Sequence, residues 1–270
     1  MESICHFLNY YHYKYKDNII VINIIMQKFG AFFQCYKQPM ATYKCLESFR
    51  KHYPDSTIVL LSDNGYNYDN MAKHFNCIYI HSDENVPLCS KDLSNEKYII
   101  NVNKIITRFE TAFNLINEDY VMWLEDDVII NNTITDLFKY DINGFCPNYY
   151  DVRMIEGLSK KYEFISKGNI YRWCGQGGSV FNKQNILTYF KNKEIINDVL
   201  KNWTEYNLTS DICHDYFISL LVNLNKGSIG PYYGHNDGFN IIHSNIDVQH
   251  QYKFYYNIPI SEEINHLVDI

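Results

Sequence analysis

The sequence predicts an α/β protein built on a mainly parallel sheet, and two patterns indicate this fold class. Between residues 19 and 81, short runs rich in β-branched residues alternate with helical segments in the order strand, helix, strand, helix, strand. Tyr120 to Leu124 is apolar at every position, which is typical of a strand buried on both faces. We therefore expect a mixed, mainly parallel central sheet flanked by helices.

The first half of the chain supplies the alternating elements. Ile19 to Met26 is the first expected strand, and a loop through Gly30 and Gln38 follows it. A helix is predicted from Pro39 to about His52, because proline suits the first turn of a helix. The next predicted elements are a strand, a short helix and a strand, at residues 57–62, 68–75 and 77–81.

Three successive carboxylates follow the apolar strand that ends at Leu124. Glu125, Asp126 and Asp127 repel one another, and burial of an unpaired carboxylate costs several kcal/mol. A bound divalent cation relieves both problems, and oxygen ligands suit Mg²⁺ or Mn²⁺, which are also natural partners of phosphate. We interpret the triplet as a metal site. The alternative is a solvated turn leading into the apolar run from Val128 to Ile130.

Three polar residues in the first half are candidate ligand contacts, because ligands of such sheets bind beyond the carboxyl ends of the strands. Asp63 ends the second strand, where it either accepts hydrogen bonds from a base or ribose or simply closes the turn. The helix predicted at 101–117 carries Lys104 and Arg108, which share one face at i, i+4 spacing. These two residues either contact a phosphate or form an ordinary solvated face.

A glycine-rich segment from Trp173 to Phe181 precedes a short apolar strand. Gly177 and Gly178 permit close approach of another group to the backbone, and the alternative is a plain glycine-rich turn. The segment does not match a dinucleotide-binding loop, because Val180 stands where the third glycine is required. Further helices are predicted at residues 184–206 and 210–222.

The start of the last predicted helix, capped by Ser210, carries two catalytic candidates. Asp211 and Asp215 lie on the same side of the helix at i, i+4 spacing. Asp211 suits an interaction with the helix dipole, so Asp215 is the better catalytic candidate. Nearer the C-terminus, the three histidines His235, His243 and His250 could include a metal ligand, and a polar loop or a hydrogen-bonded core histidine is the default for any one of them.

Composition excludes several classes of protein. The net charge of −7 gives no general attraction for nucleic acid or for an anionic membrane. The eight cysteines form no CxxC pair and are expected to be mostly buried free thiols of a reducing compartment. The sequence contains no run of about 18 apolar residues, which a membrane helix would need, and residues 1–18 lack the apolar core of a signal peptide. We expect one soluble, cytoplasmic domain over residues 1–270, with a nucleotide-binding half at about 19–130 and an acceptor-binding half at about 131–260.

Taken together, these segments resemble a GT-A glycosyltransferase, the nucleotide-sugar-dependent α/β family. The opening strand–helix–strand unit that ends in Asp63 looks like its nucleotide-recognition half. Val121 to Asp127 looks like its acidic "DXD" strand, which stands here as Glu-Asp-Asp. The resemblance implies that Asp127 binds the metal and that Asp126 or Glu125 holds the ribose or a metal-bound water. Because the triplet is not D-x-D, the carboxylate that touches the metal is left open.

Later motifs extend the resemblance over roughly residues 20 to 255. Trp173 to Ser179 resembles the glycine-rich strand start that shapes the acceptor side. His214 and Asp215 resemble the acidic position at a helix start that serves as base in inverting members. The segment from His250 to Lys253 resembles the late histidine that completes the metal and diphosphate site.

The function implied by this resemblance is metal-dependent transfer of a sugar from a nucleotide-sugar, with a UDP-sugar favoured because it is common in the family. The acceptor would be a hydroxyl of a glycan, protein or small molecule, and a base at Asp215 predicts inversion. Mn²⁺ or Mg²⁺ is the implied cofactor, and Lys104, Arg108 or Lys253 would add positive charge. Two alternatives are a nucleotidyltransferase and an inactive glycosyltransferase-like scaffold. The first has a glycine-rich loop after its first strand, and residues 27–39 do not contain such a loop.

Overall fold

The computed structural model describes residues 27–90, 95–136, 138–146, 152–165, 172–202, 205–206, 212–238 and 245–269. The strands in these ranges are β1 (Phe29–Cys35), β2 (Ile58–Ser62), β3 (Ile78–His81), β4 (Cys89–Ser90), β5 (Tyr120–Leu124), β6 (Ile129–Ile130), β7 (Ile142–Gly144), β8 (Val180–Asn182), β9 (Ile212–Cys213), β10 (Ile229–Pro231), β11 (His235–Asn236) and β12 (Val248–Gln249). The α-helices are α1 (Pro39–His52), α2 (Asp69–His74), α3 (Asn95–Leu115), α4 (Val152–Leu158), α5 (Lys183–Phe190), α6 (Lys193–Lys201) and α7 (His214–Leu224). None of the described helices has the length and apolarity needed to cross a membrane.

Among the described strands, seven form the central sheet in the order β10-β7-β8-β5-β1-β2-β3. Strand β8 is antiparallel to both of its neighbours, and every other pair in this sheet is parallel. Six strands therefore run in one direction and β8 runs against them. The predicted class, a mixed and mainly parallel sheet flanked by helices, is confirmed. Two smaller sheets have the strand orders β11-β12-β6 and β4-β9.

The centre of the sheet corrects one prediction, because the segment through Gly30 forms strand β1 rather than a loop. Every residue of β1 is buried, and the strand pairs in parallel with both β2 and β5. Gly30 is required for packing: a Cβ there would lie 2.8 Å from the carbonyl oxygen of Thr57 and 2.5 Å from Cγ2 of Ile116. The strand predicted at residues 19–26 lies outside the described residues.

Helices cover both faces of the central sheet, because successive residues of a strand contribute to opposite cores. In β1, Phe32 packs in the core that includes residues of α3, α5 and α7, whereas Ala31 and Phe33 pack in the core that includes residues of α1 and α2. Strand β5 divides in the same way, with Trp123 on the first side and Met122 on the second. The continuous apolar runs of these strands therefore reflect burial on both faces.

Two predicted helical segments differ from the structure. The helix predicted at 184–206 is two helices, α5 and α6, each begun by an asparagine side-chain cap. The helix expected from Ser210 begins instead at His214. The two residues before it form β9, which pairs antiparallel with β4. Ser210 and Asp211 lie outside the described residues.

The prediction of mostly buried free thiols did not single out Cys213, which departs from it. Cys213 is disulfide-bonded. It stands in β9, where the backbone register places it opposite Cys89 of β4. Sequence spacing gives no sign of such a two-residue strand pair, which explains why the prediction missed it. The free cysteines of the described residues are Cys35, Cys45, Cys77, Cys146 and Cys174.

Candidate metal centre and its flanking cavities

The candidate site lies at the carboxyl edge of the central sheet, beyond the ends of β1, β2 and β5. Asp63 directly follows β2, and Glu125 directly follows β5. These strands are parallel, so the residues that follow them meet at one edge of the sheet. A cavity of about 240 Å³, called the first cavity below, is lined by both residues.

Three side chains converge beside this cavity and form what we call the metal cluster: Glu125, Asp127 and His250. Their ligand atoms all lie within 4.8 Å of one another. Nε2 of His250 is 3.3 Å from Oδ1 of Asp127 and 3.5 Å from Oε2 of Glu125. Pairing of β12 with β6 explains the convergence, because His250 follows β12 directly and the acidic triplet lies just before β6.

The positive and negative charges of the metal cluster stabilise one another. Burial lowers the pKa of His250, but the carboxylates of Asp127, Asp237 and Glu125 more than offset this and raise the pKa well above its usual value. Burial raises the pKa of Glu125, and its contacts with His250 and His214 outweigh that effect and lower the pKa. The imidazolium of His250 is therefore the counter-charge of the two carboxylates in the protein alone.

The residues of the metal cluster fit a divalent cation. Oδ1 of Asp127 is buried, and its partner among the described residues is Nε2 of His250, 3.3 Å away in an ion pair without hydrogen-bond geometry. Carboxylate oxygens suit Mn²⁺ and Mg²⁺, and imidazole is the commonest metal-binding side chain. Asp127 and His250, the two predicted ligands, are thus together. Glu125, rather than Asp126, is the third member of the cluster.

Asp126 is separate from the metal cluster and lines the first cavity. The hydroxyl of Tyr256 donates a hydrogen bond to its carboxylate. Burial, followed by the negative charges of Asp127 and Glu125, raises the pKa of Asp126 to about 7, although the Tyr256 hydrogen bond opposes the shift. Asp126 therefore accepts or loses a proton near neutral pH.

Asp63 and Arg108 form a buried ion pair at the other side of the first cavity. The second guanidinium nitrogen of Arg108 donates to Oγ of Ser82 at 2.9 Å and to the carbonyl of Glu84 at 3.0 Å. Asp63 also accepts a hydrogen bond from the N–H of Val86 at 3.0 Å. The pair thus fixes Asp63 and Val86, both of which line the cavity.

The two lysines predicted to contact phosphate lie in different surroundings. Lys104 forms a surface ion pair with Glu84, and its hydrogen bond and charge lower the pKa of Glu84. Lys253 lies beside the metal cluster, with Nζ 3.6 Å from Oδ2 of Asp127 and 5.8 Å from the ring centre of Tyr256. Of the two, Lys253 contacts the metal cluster directly.

A second cavity, of about 360 Å³, adjoins the metal cluster. Glu125 lines both cavities and His250 lines the second, so the cluster adjoins both. Burial raises the pKa of Asp215 in the first turn of α7, and the charge of His214 only partly offsets this. Nε2 of His214 lies 3.5 Å from Oε1 of Glu125. Other residues that line the second cavity are Leu88, Trp173, Gln176, Asp237 and Gln251.

The predicted glycine-rich segment packs directly under the metal cluster. A Cβ at Gly177 would lie 2.7 Å from Cγ2 of Val128 and 2.8 Å from Cδ2 of His250. Gly178 has φ +89°, and a Cβ there would lie 2.9 Å from Nε2 of His235. Both positions therefore require glycine for close packing rather than for a surface turn.

Two predicted site residues and one unpredicted residue complete the account of the site. Asp211 and His243 lie outside the described residues. Asp237 was not predicted, yet its Oδ1 is 2.7 Å from Nδ1 of His250. Its local sequence, residues 234–238, has the pattern of a polar turn. The position of Asp237 follows from the pairing of β11 with β12, which the sequence does not reveal.

Comparison with known proteins gives likenesses at the level of structure. No protein-family model matches the chain, and no curated protein matches it. The galactosyltransferase LgtC, solved with donor and acceptor sugar analogues, is similar at 16% identity over 86% of this chain and 88% of that chain, with a TM-score of 0.45. The glycosyltransferase GlyE of Streptococcus pneumoniae TIGR4 is similar at 14% identity over 77% of this chain and 45% of that chain, with a TM-score of 0.39. Both TM-scores lie below 0.5, so no functional residue is transferred from these proteins to this chain.

Proposed function

We propose that this protein transfers a glycosyl group from a nucleotide-sugar and uses a divalent cation held by Glu125, Asp127 and His250. The observation that supports this most is that the metal cluster adjoins two cavities at the carboxyl edge of a mainly parallel sheet, since Glu125 lines both of them. A nucleotide-sugar has a nucleoside at one end, a sugar at the other and a diphosphate between them. A cation site that adjoins two cavities suits such a ligand.

Mn²⁺ or Mg²⁺ is the proposed cofactor, because the metal cluster offers carboxylate oxygens and one imidazole nitrogen. A cation bound there would supply positive charge that stabilises the diphosphate as it leaves. Lys253, whose Nζ is 3.6 Å from Asp127, adds a second positive charge on the same side. The chain's own residues thus provide both the cation site and a supporting cation.

The first cavity is the proposed nucleoside site. Asp63 and Asp126 line it and offer carboxylate oxygens to ribose hydroxyls. Gln34 also lines this cavity, and its side-chain nitrogen donates to the carbonyl of Val86 at 3.1 Å. The side-chain oxygen of Gln34 is buried without a hydrogen-bond partner among the described residues. A UDP-sugar is the favoured donor because it is common in the GT-A family that the sequence resembles.

The second cavity is the proposed site of sugar transfer, with Asp215 as general base. Its raised pKa makes the ionised carboxylate a stronger base. Asp215 takes the proton of an acceptor hydroxyl, the hydroxyl oxygen bonds to the anomeric carbon, and the bond from that carbon to the diphosphate breaks. Attack from the face opposite the diphosphate inverts the anomeric carbon. The acceptor is a hydroxyl of a glycan, a protein or a small molecule.

A turnover assay tests the proposed function. The protein is incubated with UDP-, GDP-, CDP- and dTDP-sugars in Mn²⁺, and release of the nucleoside diphosphate is measured. We expect release from one nucleotide class, UDP first, and its loss in EDTA and in Asp127→Ala. Asp136→Ala removes an exposed carboxylate outside the site and is expected to leave the rate unchanged. Release from none of the donors, or an equal rate in Asp127→Ala, would contradict the proposal.

A further inference from the structure

The imidazole of His250 contacts acidic groups through both of its ring nitrogens. Nε2 faces the metal cluster, 3.3 Å from Asp127 and 3.5 Å from Glu125. Nδ1 lies 2.7 Å from Oδ1 of Asp237, a residue outside the cluster. The ring therefore bridges Asp237 and the two acidic members of the cluster.

We propose that Asp237 is a positioning residue for the metal site. Its carboxylate oxygen, 2.7 Å from Nδ1 of His250, favours a proton on that nitrogen and thereby the tautomer whose Nε2 lone pair is directed at the cation. A carboxylate behind a ligand imidazole also makes that imidazole a stronger ligand. The inference rests on the proposed function, whose metal site it extends to a residue that does not itself hold the cation.

The backbone fixes both partners of this contact. Strands β11 and β12 pair in parallel, and Asp237 and His250 each follow directly after their strand. The N–H of His250 donates to the carbonyl of Asn236 at 2.8 Å. The side chain of Gln249 donates to the carbonyl of Gly238 at 2.5 Å. The two carbonyl groups belong to the residues immediately before and after Asp237, so these hydrogen bonds fix the backbone of Asp237 beside His250.

Packing restricts the ring to the orientation that the inference requires. The side chain of His250 is 4% exposed, whereas that of Asp237 is 26% exposed. Gly177 packs against the ring edge, because a Cβ there would lie 2.8 Å from Cδ2. A ring that is buried, packed at one edge and paired at Nδ1 keeps Nε2 directed at Asp127.

Mn²⁺ binding to the purified chain, followed by electron paramagnetic resonance, tests the inference. We expect Asp237→Asn and Asp237→Ala to weaken Mn²⁺ binding by about tenfold or more, with the larger loss in Asp237→Ala because asparagine keeps an acceptor oxygen. We also expect the coupling of bound Mn²⁺ to an imidazole nitrogen to weaken in Asp237→Ala. The matched control is Asp247→Asn, which changes a carboxylate three residues before His250 in the sequence that accepts a hydrogen bond from Tyr232 at 2.7 Å. This control should bind Mn²⁺ as the wild type does.

Each outcome of this experiment supports or overturns the inference. Melting temperatures in EDTA identify the variants that are folded. If Asp237→Ala does not fold, the Mn²⁺ affinity of Asp237→Asn tests the inference. Unchanged Mn²⁺ affinity in the folded Asp237 variants would overturn the positioning role of Asp237 but not the proposed metal site. Weaker binding with an unchanged nitrogen coupling would also overturn it, because Asp237 would then be a direct ligand. Absence of Mn²⁺ binding by the wild-type protein would overturn both this inference and the proposed metal site.

Discussion

Arg108 of helix α3 and Asp63 at the end of strand β2 form an ion pair in which the two side chains are only 10% and 4% exposed. Burial raises the pKa of Asp63, while the Val86 N–H and the charge of Arg108 act in the opposite direction. The guanidinium also donates to the loop at residues 82–84. Arg108 thus stabilises the residues on one side of the first cavity.

We predict that Arg108→Met lowers the free energy of unfolding by about 3–5 kcal/mol, because it leaves the buried carboxylate of Asp63 without its counter-charge. Denaturant unfolding at neutral pH measures the change. The matched control is Lys104→Met, one turn away on the same helix, whose ion pair with Glu84 is on the surface. Its loss should cost far less than that of the buried pair, because water screens both of its partners. Equal losses in the two variants would contradict a structural role for the buried pair.

The raised pKa of Asp126 predicts a pH-dependent stability. An unfolded aspartate loses its proton near pH 4, whereas the folded pKa is about 7. Between these values the folded state binds more protons than the unfolded state, so this group makes stability fall as pH rises. The asparagine of Asp126→Asn does not titrate. The melting temperature of this variant in EDTA, relative to that of the wild type at the same pH, should therefore rise between pH 4 and pH 8. Parallel curves for the two proteins would contradict the assignment.

Gly177→Ala should weaken Mn²⁺ binding without removing any ligand. The new Cβ would meet Cγ2 of Val128 and Cδ2 of His250 at under 3 Å, so the imidazole must move from its position beside Asp127. Calorimetric titration with Mn²⁺ measures the loss of affinity. The control is Asp136→Ala, which removes an exposed carboxylate outside the site and should leave Mn²⁺ affinity unchanged. Equal affinity in both variants would show that Gly177 does not support the imidazole.

Asp215→Asn should reduce kcat by about 10²- to 10⁴-fold, because asparagine cannot accept the acceptor's proton. Binding of the nucleotide with Mn²⁺ should be unchanged, since Asp215 lines the second cavity and not the first. Steady-state kinetics with the donor found active in the turnover assay, combined with nucleotide titration, measures both. A variant with wild-type kcat would exclude Asp215 as the base.

Strands β1 and β5 show how far the fold could be predicted from the sequence. The apolar run of β5 predicted a strand at Tyr120 to Leu124, and the structure has the same bounds. Strand β1 is equally buried, but Gly30 has the appearance of a turn residue. Only its contacts with Thr57 and Ile116, far away in sequence, explain the glycine. Periodicity reports burial, and it does not report which distant backbone packs against a small residue.

The metal cluster shows the same limit for the site. The resemblance to GT-A glycosyltransferases implied Asp127 and His250 as metal ligands, and the structure places them 3.3 Å apart. Glu125 belongs to the same cluster, although the resemblance gave it the ribose or a metal-bound water. Asp237 could not be predicted, because β11 and β12 have two residues each and leave no periodic signal. The ligand roles themselves remain predictions.

The measurement that tests the central claim most directly is a melting-temperature screen with UDP, GDP, CDP and dTDP, each with and without Mn²⁺. A nucleotide at about 100 times its dissociation constant should add about 2.7 kcal/mol to the free energy of unfolding. We predict such a shift for one nucleotide, UDP first, only when Mn²⁺ is present, and no shift in Asp127→Ala. A shift that persists without Mn²⁺ and in Asp127→Ala, or no shift with any nucleotide, would contradict a metal-dependent nucleotide-sugar site.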